Sequence, residues 1–96
     1  MIPKPGEIWY GYTDSGEKKR VIVVSREELN RGHYATMVPI TSKKFDLRKN
    51  LPNCVPLAAG RFGLVSNSVA QAENITLIAH PDLDFDTGPI GLLPKN

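Results

Sequence analysis

This sequence has little cysteine, little histidine and no long apolar run, and each shortage excludes a class of protein. Cys54 is the only cysteine among 96 residues, so no disulfide can form within the chain and no thiolate metal site can be assembled. The two histidines, His33 and His80, are far apart and form no ligand-spaced pair. We therefore expect neither a bound metal nor another cofactor.

No segment has the length that crossing a membrane requires. The longest apolar run, residues 21 to 24, is far shorter than the roughly 20 residues of a transmembrane helix. The first residues also lack the charged and apolar pattern of a signal peptide. We therefore expect a cytoplasmic location and no membrane partner.

The composition is that of one small globular domain. The chain is 41% hydrophobic and 23% charged, which argues against disorder and against a fibrous protein. A chain of 96 residues can enclose a single small core. Residues 1 to 96 are therefore predicted to form one domain.

Positive charge is concentrated in the first half of the chain. Residues 1 to 49 carry ten Lys and Arg against six Asp and Glu, a net charge of +4, whereas residues 50 to 96 have a net charge of −2. Two basic clusters, residues 18 to 20 and residues 43 to 49, stand at the ends of predicted strands. Converging cations of this kind can bind a phosphate chain, although for each lysine alone a solvated surface is the better interpretation.

The spacing of apolar residues predicts strands through most of the chain. Ile8, Tyr10 and Tyr12 alternate with Trp9 and Gly11, which is the pattern of a half-buried strand. Turn residues at 14 to 16 then connect it in a hairpin to a strand at residues 20 to 25. Further strands are predicted at residues 34 to 40, 54 to 58, 65 to 72 and 75 to 78, with a final strand or turn near residue 90.

Two local patterns predict interruptions of these strands. Ser25 and Glu28 have the spacing of a capping box, so a short helix should begin there and end near Gly32. Pro39 points to an edge strand or a bulge, because proline cannot donate to a strand ladder. Residues 43 to 54 are predicted to be a basic loop. Short strands with closely spaced turns predict a mainly β fold, a small antiparallel barrel.

Four segments, taken in their order, resemble one toxin family. They are Pro5-Gly6-Glu7-Ile8-Trp9, Arg20 before the apolar residues 21 to 24, Val38-Pro39-Ile40-Thr41-Ser42, and residues 63 to 75. In this order and spacing the chain resembles the MazF/PemK (Kid) family of toxin endoribonucleases. The resemblance implies an SH3-like barrel with short helical insertions, a homodimer, single-stranded RNA as substrate and a cognate antitoxin protein as partner.

The resemblance also implies roles for individual residues. Arg20 occupies the position of the family's functional arginine, where a guanidinium can stabilise the charge that develops on a scissile phosphate. Thr41 matches a threonine that orients this phosphate, and Glu73 aligns with an acidic residue proposed as general base in part of the family. These three are the predicted catalytic residues, and the predicted RNA-binding residues are Lys18, Lys19, Ser42, Lys43, Lys44, Phe45 and Gln71.

The implied reaction is metal-independent cleavage of RNA by the ribose 2′-hydroxyl, which leaves a 2′,3′-cyclic phosphate and a 5′-hydroxyl. The chain departs from the family pattern at Val21, where a proline is usual. It departs again at Gln71, where members with the acidic residue have an arginine that acts as general acid. The amide of Gln71 cannot donate a proton to the leaving oxygen. Arg20 would then have to take the acid role, or the enzyme would be slow or use another arrangement.

Two other interpretations of the sequence stay open. One is a non-catalytic SH3-like binding module derived from a toxin. The replaced proline, Gln71 and the first loop at residues 13 to 19, which is usually longer in the family, favour it. The other is a CcdB-like poison of DNA gyrase, which shares the barrel. A CcdB-like toxin acts through a C-terminal helix, which Gly88 and Pro89 would interrupt in this chain. The presence of both Arg20 and Thr41 also argues against this second interpretation.

Overall fold

The chain folds into one curled antiparallel sheet, a half-barrel that carries two short helices. The computed structural model describes residues 1–12 and 15–93. The strands are β1 (Glu7–Tyr12), β2 (Lys18–Val23), β3 (Tyr34–Thr41), β4 (Cys54–Leu57), β5 (Ser68–Gln71), β6 (Thr76–Ala79) and β7 (Gly91–Leu92). The helices are α1 (Glu27–Asn30) and α2 (Phe45–Arg48), with single 3-10 turns at Ala72–Asn74 and His80–Asp82. The prediction of a mainly β, SH3-like antiparallel barrel with helical insertions is confirmed.

Strand β3 is the centre of the sheet. It pairs with β2 along one edge, while its other edge pairs first with β6, from Tyr34 to Met37, and then with β5, at Ile40 and Thr41. The strand order is β4-β5-β3-β2-β1-β7, with β6 beside β3. None of the helices in the described part of the chain is long and apolar enough to cross a membrane.

Pro39 lies on this central strand, so the prediction of an edge strand or bulge was wrong. The carbonyl of Thr36 accepts the N–H of Val24 on the β2 side. Because backbone groups alternate along a strand, the nitrogen of Pro39 faces the opposite edge of β3. There Pro39 falls between the last residue paired with β6 and the first paired with β5. The missing N–H therefore breaks no ladder hydrogen bond.

The sheet buries an apolar core on each of its faces. Successive residues of a strand point to opposite faces, so β1 and β2 contribute to both cores, which explains why residues 21 to 23 are apolar in succession. Val24, which follows β2, is 45% exposed. Trp9 is fully buried and meets the ring of Phe85 edge to face, with 5.1 Å between centroids. One core contains Ile8, Ile22, Val38, Ile40, Leu57, Leu64 and Ala70, and the other contains Trp9, Val21, Val23, Ala35, Met37 and Leu83.

Helix α1 has no capping box, which corrects the prediction made from Ser25 and Glu28. Its N-cap residue is Arg26, and no side chain caps it. Ser25 Oγ instead accepts the N–H of Thr36 at 2.8 Å and bonds to the amide oxygen of Asn30. The buried Asn30 donates to the carbonyl oxygens of Pro3 and Ser25, at 2.9 and 2.7 Å. This network ties the N-terminal segment to α1 and β3.

Other predicted boundaries differ from the observed ones. The predicted loop at residues 43 to 54 contains α2, which Lys44 begins in the left-handed region at φ 54°. Strand β5 starts at Ser68 rather than at residue 65, because a turn occupies the preceding residues. The apolar tail does form a final strand, β7, which pairs with β1. Asp14 of the predicted first turn lies outside the described residues.

Two backbone segments cross without room for a side chain between them. A Cβ added to Gly63 would lie 2.0 Å from the carbonyl oxygen of Ile90, and one added to Gly91 would lie 1.7 Å from that of Phe62. Gly63 also has a φ of +78°, which glycine adopts at little cost. The turn at residues 60 to 64 and strand β7 therefore hold each other through paired glycines.

Replacing Gly63 by alanine should destabilise the protein much more than the same change at Gly60. Gly60 has a φ of +79° but no atom within 4 Å of an added Cβ, so Gly60→Ala isolates the conformational cost, about 1 kcal/mol. Gly63→Ala adds a collision with backbone and should lower the free energy of unfolding by about 2 kcal/mol or more. Urea denaturation followed by circular dichroism measures both changes. Equal losses in the two variants would contradict the crossing described above.

Candidate functional site

A positively charged groove opens where β1, β2, β3 and β5 end on one side of the sheet. We call it the basic groove, and its volume is about 410 Å³. Among the described residues, five cations line it against one carboxylate, that of Glu17. Its residues are Tyr10, Glu17, Lys18, Lys19, Arg20, Pro39, Ile40, Thr41, Ser42, Lys43, Arg48 and Gln71. The excess of positive charge fits an anionic ligand.

Arg20 enters the groove at the end of a core-facing row of side chains. The strand register places Arg20 opposite Tyr10 on β1 and opposite Ile40 on β3. Arg20 therefore lies on the same face as Ile22, which is two residues further along β2 and is buried in the core. The side chain is half-buried. Its aliphatic stem can border the apolar core while the guanidinium lines the groove.

Thr41 lies at the last position of β3, where its hydroxyl is already oriented. The N–H of Lys43 donates to Thr41 Oγ1 at 3.2 Å. This local turn uses the hydroxyl as an acceptor, so the hydroxyl proton stays available to a ligand in the groove. Ser42, next to it, is exposed and adds a second hydroxyl to the same wall.

Lys18 is held at the edge of the groove by an ion pair with Asp84. Its Nζ lies 3.2 Å from Asp84 Oδ2 and 4.4 Å from the centre of the Tyr10 ring. Thr87 donates to Asp84 through its hydroxyl at 2.7 Å and its N–H at 3.1 Å. These bonds from Thr87, together with the contact to Lys18, lower the pKa of Asp84 to about 2, and the same contact raises the pKa of Lys18.

The basic groove brings together most of the residues that the sequence singled out, but not all of them. Among those lining it are Arg20, Thr41, Ser42, Gln71, Lys18, Lys19 and Lys43. Glu73 is exposed in the 3-10 turn after β5 and does not line the groove. Lys44 and Phe45 start α2 and also lie outside the lining, and the Phe45 ring instead faces Lys49 Nζ at 5.8 Å.

Tyr10 and Glu17 line the groove but were not predicted as site residues, and Arg48 was predicted only as part of the basic cluster at residues 43 to 49. Tyr10 could have been found, since the predicted hairpin pairs the middle of β1 with the start of β2. Glu17 stands just before the basic cluster of β2, and that position was the signal that could have found it. Arg48 reaches the groove because residues 45 to 48 form a helix, and four residues carry too weak a pattern to predict one.

A second groove lies beside the first and is more apolar. It has a volume of about 320 Å³ and shares Lys19 and Pro39 with the basic groove. We call it the apolar groove; its other lining residues are Gly11, Tyr12, Val21, Met37, Thr76, Leu77, Ile78 and Asp82. Within the described ranges, no three His, Cys, Asp or Glu side chains gather as a metal-binding cluster.

Comparison with known proteins identifies similar chains. Residues 4–96 match the model of a family described as PemK-like, MazF-like toxin of type II toxin-antitoxin system. The Mycobacterium tuberculosis toxin MazF-mt6 has a similar structure, with a TM-score of 0.75, 26% identity, and coverage of 92% of this chain and 80% of that one. No curated protein matches the sequence.

Two further solved structures share the fold at lower sequence identity. One is an endoribonuclease in complex with its cognate antitoxin from Mycobacterial species, with a TM-score of 0.75, 19% identity, and coverage of 96% of this chain and 80% of that one. The other is MazE-MazF from Deinococcus radiodurans, with a TM-score of 0.74, 18% identity, and coverage of 98% and 82%. At these identities the likeness is one of fold.

The contacts of Asp84 with Lys18 and Thr87 should make the free energy of unfolding depend on pH in the acidic range. The pKa of Asp84 is lowered from 3.8 to about 2, so the stabilisation is complete above about pH 4 and disappears as the pH falls to about 2. Asp84→Asn should therefore unfold at lower urea than the wild type at pH 7, and the difference should shrink between pH 4 and pH 2. Asp86→Asn, at an exposed neighbour, is the control. A difference that stays constant down to pH 2 would contradict this assignment.

Proposed function

The chain belongs to the PemK-like, MazF-like toxin family of type II toxin-antitoxin systems, and from this premise we propose that it is an endoribonuclease that cuts single-stranded RNA without a metal ion. One observation carries the proposal. Arg20 and Thr41 come from different strands and line the same solvent-open basic groove. A cation and a hydroxyl donor in one groove are the groups that holding a phosphodiester for cleavage requires.

In the proposed reaction, the ribose 2′-oxygen forms a bond to the neighbouring phosphorus while the bond from phosphorus to the 5′-oxygen breaks. The proton of the 2′-hydroxyl passes to a carboxylate, and the departing 5′-oxygen takes a proton from a water molecule in the groove. The carboxylate then returns its proton to the hydroxide so formed. The products are a 2′,3′-cyclic phosphate and a 5′-hydroxyl.

Arg20 is proposed to stabilise the negative charge that builds on the phosphate oxygens. Its guanidinium stays protonated at any physiological pH and offers parallel donors in a fixed fork. Thr41, and Ser42 beside it, are proposed to hold the phosphate in line with the attacking oxygen. This orientation counts because displacement at phosphorus needs the attacking and leaving oxygens to be opposed.

The proton acceptor is proposed to be Glu17. It is the carboxylate among the lining residues of the basic groove, whereas Glu73, the candidate from the sequence, is exposed outside that lining. A general base must come within hydrogen-bond reach of the proton that it removes, directly or through one water. Glu73 stays the alternative, since it follows Gln71 on the same edge of the groove by only two residues.

Single-stranded RNA is the proposed substrate because the groove combines cations with an aromatic side chain. Tyr10, Lys43 and the lysines of β2 line it together. Positive grooves with aromatic faces bind unpaired bases and their phosphates. Lys44 and Phe45 are proposed to extend this contact beyond the groove, from the start of α2. An RNA substrate places the proposed activity in the cytoplasm.

A cognate antitoxin is the proposed partner, and a homodimer is the proposed assembly. The apolar groove adjoins the basic groove, and Leu77 on its wall is 61% exposed. Exposed apolar surface next to a functional groove is typical of a protein interface. A single domain over residues 1 to 96 is proposed to hold all these surfaces.

Purified protein should cut a defined single-stranded RNA in the presence of a chelator, and Arg20→Ala should reduce the rate by roughly a hundredfold or more. That loss is the usual effect of removing a preorganised donor that stabilises charge in the transition state. Arg31→Ala is the matched control, because Arg31 is exposed on α1 and pairs with Glu27 at 3.4 Å. End-labelling of the fragments identifies the cyclic phosphate and the 5′-hydroxyl.

The same assay separates the alternatives. Binding of RNA without cleavage would identify the non-catalytic module and overturn the nuclease proposal. Inhibition of DNA gyrase by a protein that leaves RNA intact would identify the CcdB-like poison. Cleavage that stops in chelator and returns with Mg²⁺ would overturn the metal-independent mechanism.

Two glutamine variants should distinguish the candidate bases. Glu17→Gln removes the carboxylate of the groove and should lower the cleavage rate by about 10²-fold or more, whereas Glu73→Gln should leave it within about threefold of the wild type. Single-turnover kinetics at saturating RNA measure both rates. The opposite ranking would assign the proton transfer to Glu73.

A further inference from the structure

Arg48 belongs to the second basic cluster of the sequence and lines the basic groove, but neither the sequence nor the comparisons assign it a role in the reaction. It is the last residue of α2, and its N–H donates to the carbonyl of Lys44 at 3.0 Å. The helix packs against β5, the strand that ends at Gln71. Arg48 and Gln71 therefore line the same groove as Arg20, with Arg48 on the wall formed by α2.

The burial of the five groove cations divides them into two sets. Lys18, Lys19 and Lys43 are exposed, whereas Arg20 and Arg48 are half-buried. A half-buried cation is screened less by solvent and acts more strongly on a bound anion. The two arginines are thus the groove cations with the strongest expected effect on a phosphate.

Arg48 also has a different electrostatic environment from its neighbour in sequence. Lys49 Nζ pairs with Asp46 Oδ1 at 3.4 Å, so the helix neutralises that charge itself. Arg48 makes no ion pair with any carboxylate of residues 1–12 and 15–93. A half-buried guanidinium without a carboxylate partner is a charge that a bound anion can compensate.

We propose that Arg48 is a second catalytic arginine, which contacts the scissile phosphodiester together with Arg20; this inference rests on the proposed ribonuclease function. As the 2′-oxygen bonds to phosphorus and the bond to the 5′-oxygen breaks, negative charge grows on the oxygens that stay on the phosphorus. Arg20 from β2 and Arg48 from α2 each donate to these oxygens. Neither gives up a proton, because a guanidinium stays charged.

Two guanidinium groups also explain how the groove works with a neutral Gln71. The amide of Gln71 can orient an oxygen by hydrogen bonding, but it supplies no charge. Arg48, on the helix that packs against the same strand, supplies the second positive charge from a neighbouring position in space. Charge stabilisation then depends on two elements, β2 and α2, that are far apart in sequence.

The test compares Arg48→Ala, Arg20→Ala and the control Arg31→Ala in two measurements. Single-turnover cleavage at saturating RNA should be roughly a hundredfold slower for Arg48→Ala, as for loss of a transition-state donor. Affinity for a 2′-O-methyl RNA of the same sequence, which cannot be cleaved, should fall by less than about tenfold, because the other cations still bind the backbone. Arg48→Gln gives the same readout should the alanine variant fold poorly.

The outcomes distinguish failure of the proposed role of Arg48 from failure of the proposed ribonuclease function. If the wild type cuts RNA and Arg20→Ala does not, while Arg48→Ala cuts at the wild-type rate, only the role of Arg48 is overturned. A loss confined to affinity, with an unchanged rate at saturation, overturns it too, since Arg48 would then bind RNA away from the reacting phosphate. If the wild type fails to cut RNA, the ribonuclease proposal fails first.

Discussion

The pairing of β3 with strands on both of its edges is the constraint on which the rest of the structure depends. On one side it fixes β2, whose register puts Arg20 at the end of a buried row. On the other side it changes partner from β6 to β5, and this change leaves the gap that Pro39 occupies. Both grooves meet at that point, because both include Pro39 in their lining. The site is thus a consequence of how one strand is shared.

The sequence made some parts of this arrangement predictable and concealed others. Arg20 and Thr41 stand at the ends of strands with clear apolar patterns, so their strand positions followed once the strands were recognised. The prediction of an edge strand or bulge at Pro39 was wrong because the sequence does not show that β3 changes its partner from β6 to β5 along one edge. Asn30 and Arg48 depend on contacts between distant segments: Asn30 reaches Pro3, and Arg48 enters the groove only through the short helix α2. Local patterns carry no signal for such contacts.

The groove concentrates like charges that a folded protein normally keeps apart. Lys18 is the exception, because Asp84 and the Tyr10 ring compensate it and Thr87 supports Asp84 in turn. Within the part of the chain that the structure describes, the other cations of the groove share one carboxylate, that of Glu17. Mutual repulsion of this kind destabilises the free protein and is relieved when an anion binds. A groove arranged in this way has an electrostatic reason to bind an anionic ligand.

Strand β7 is only two residues long, yet it covers the outer edge of β1. It pairs with Glu7 and Ile8, and flanking bonds from Ile90 and Leu93 reach Ile8 and Gly6 at 2.8 Å. Without it, the edge of β1 would expose unpaired backbone groups beside an apolar face, which is the geometry that recruits a strand from another molecule. The tail therefore protects the free chain from aggregation, and trimming it for expression would remove that protection.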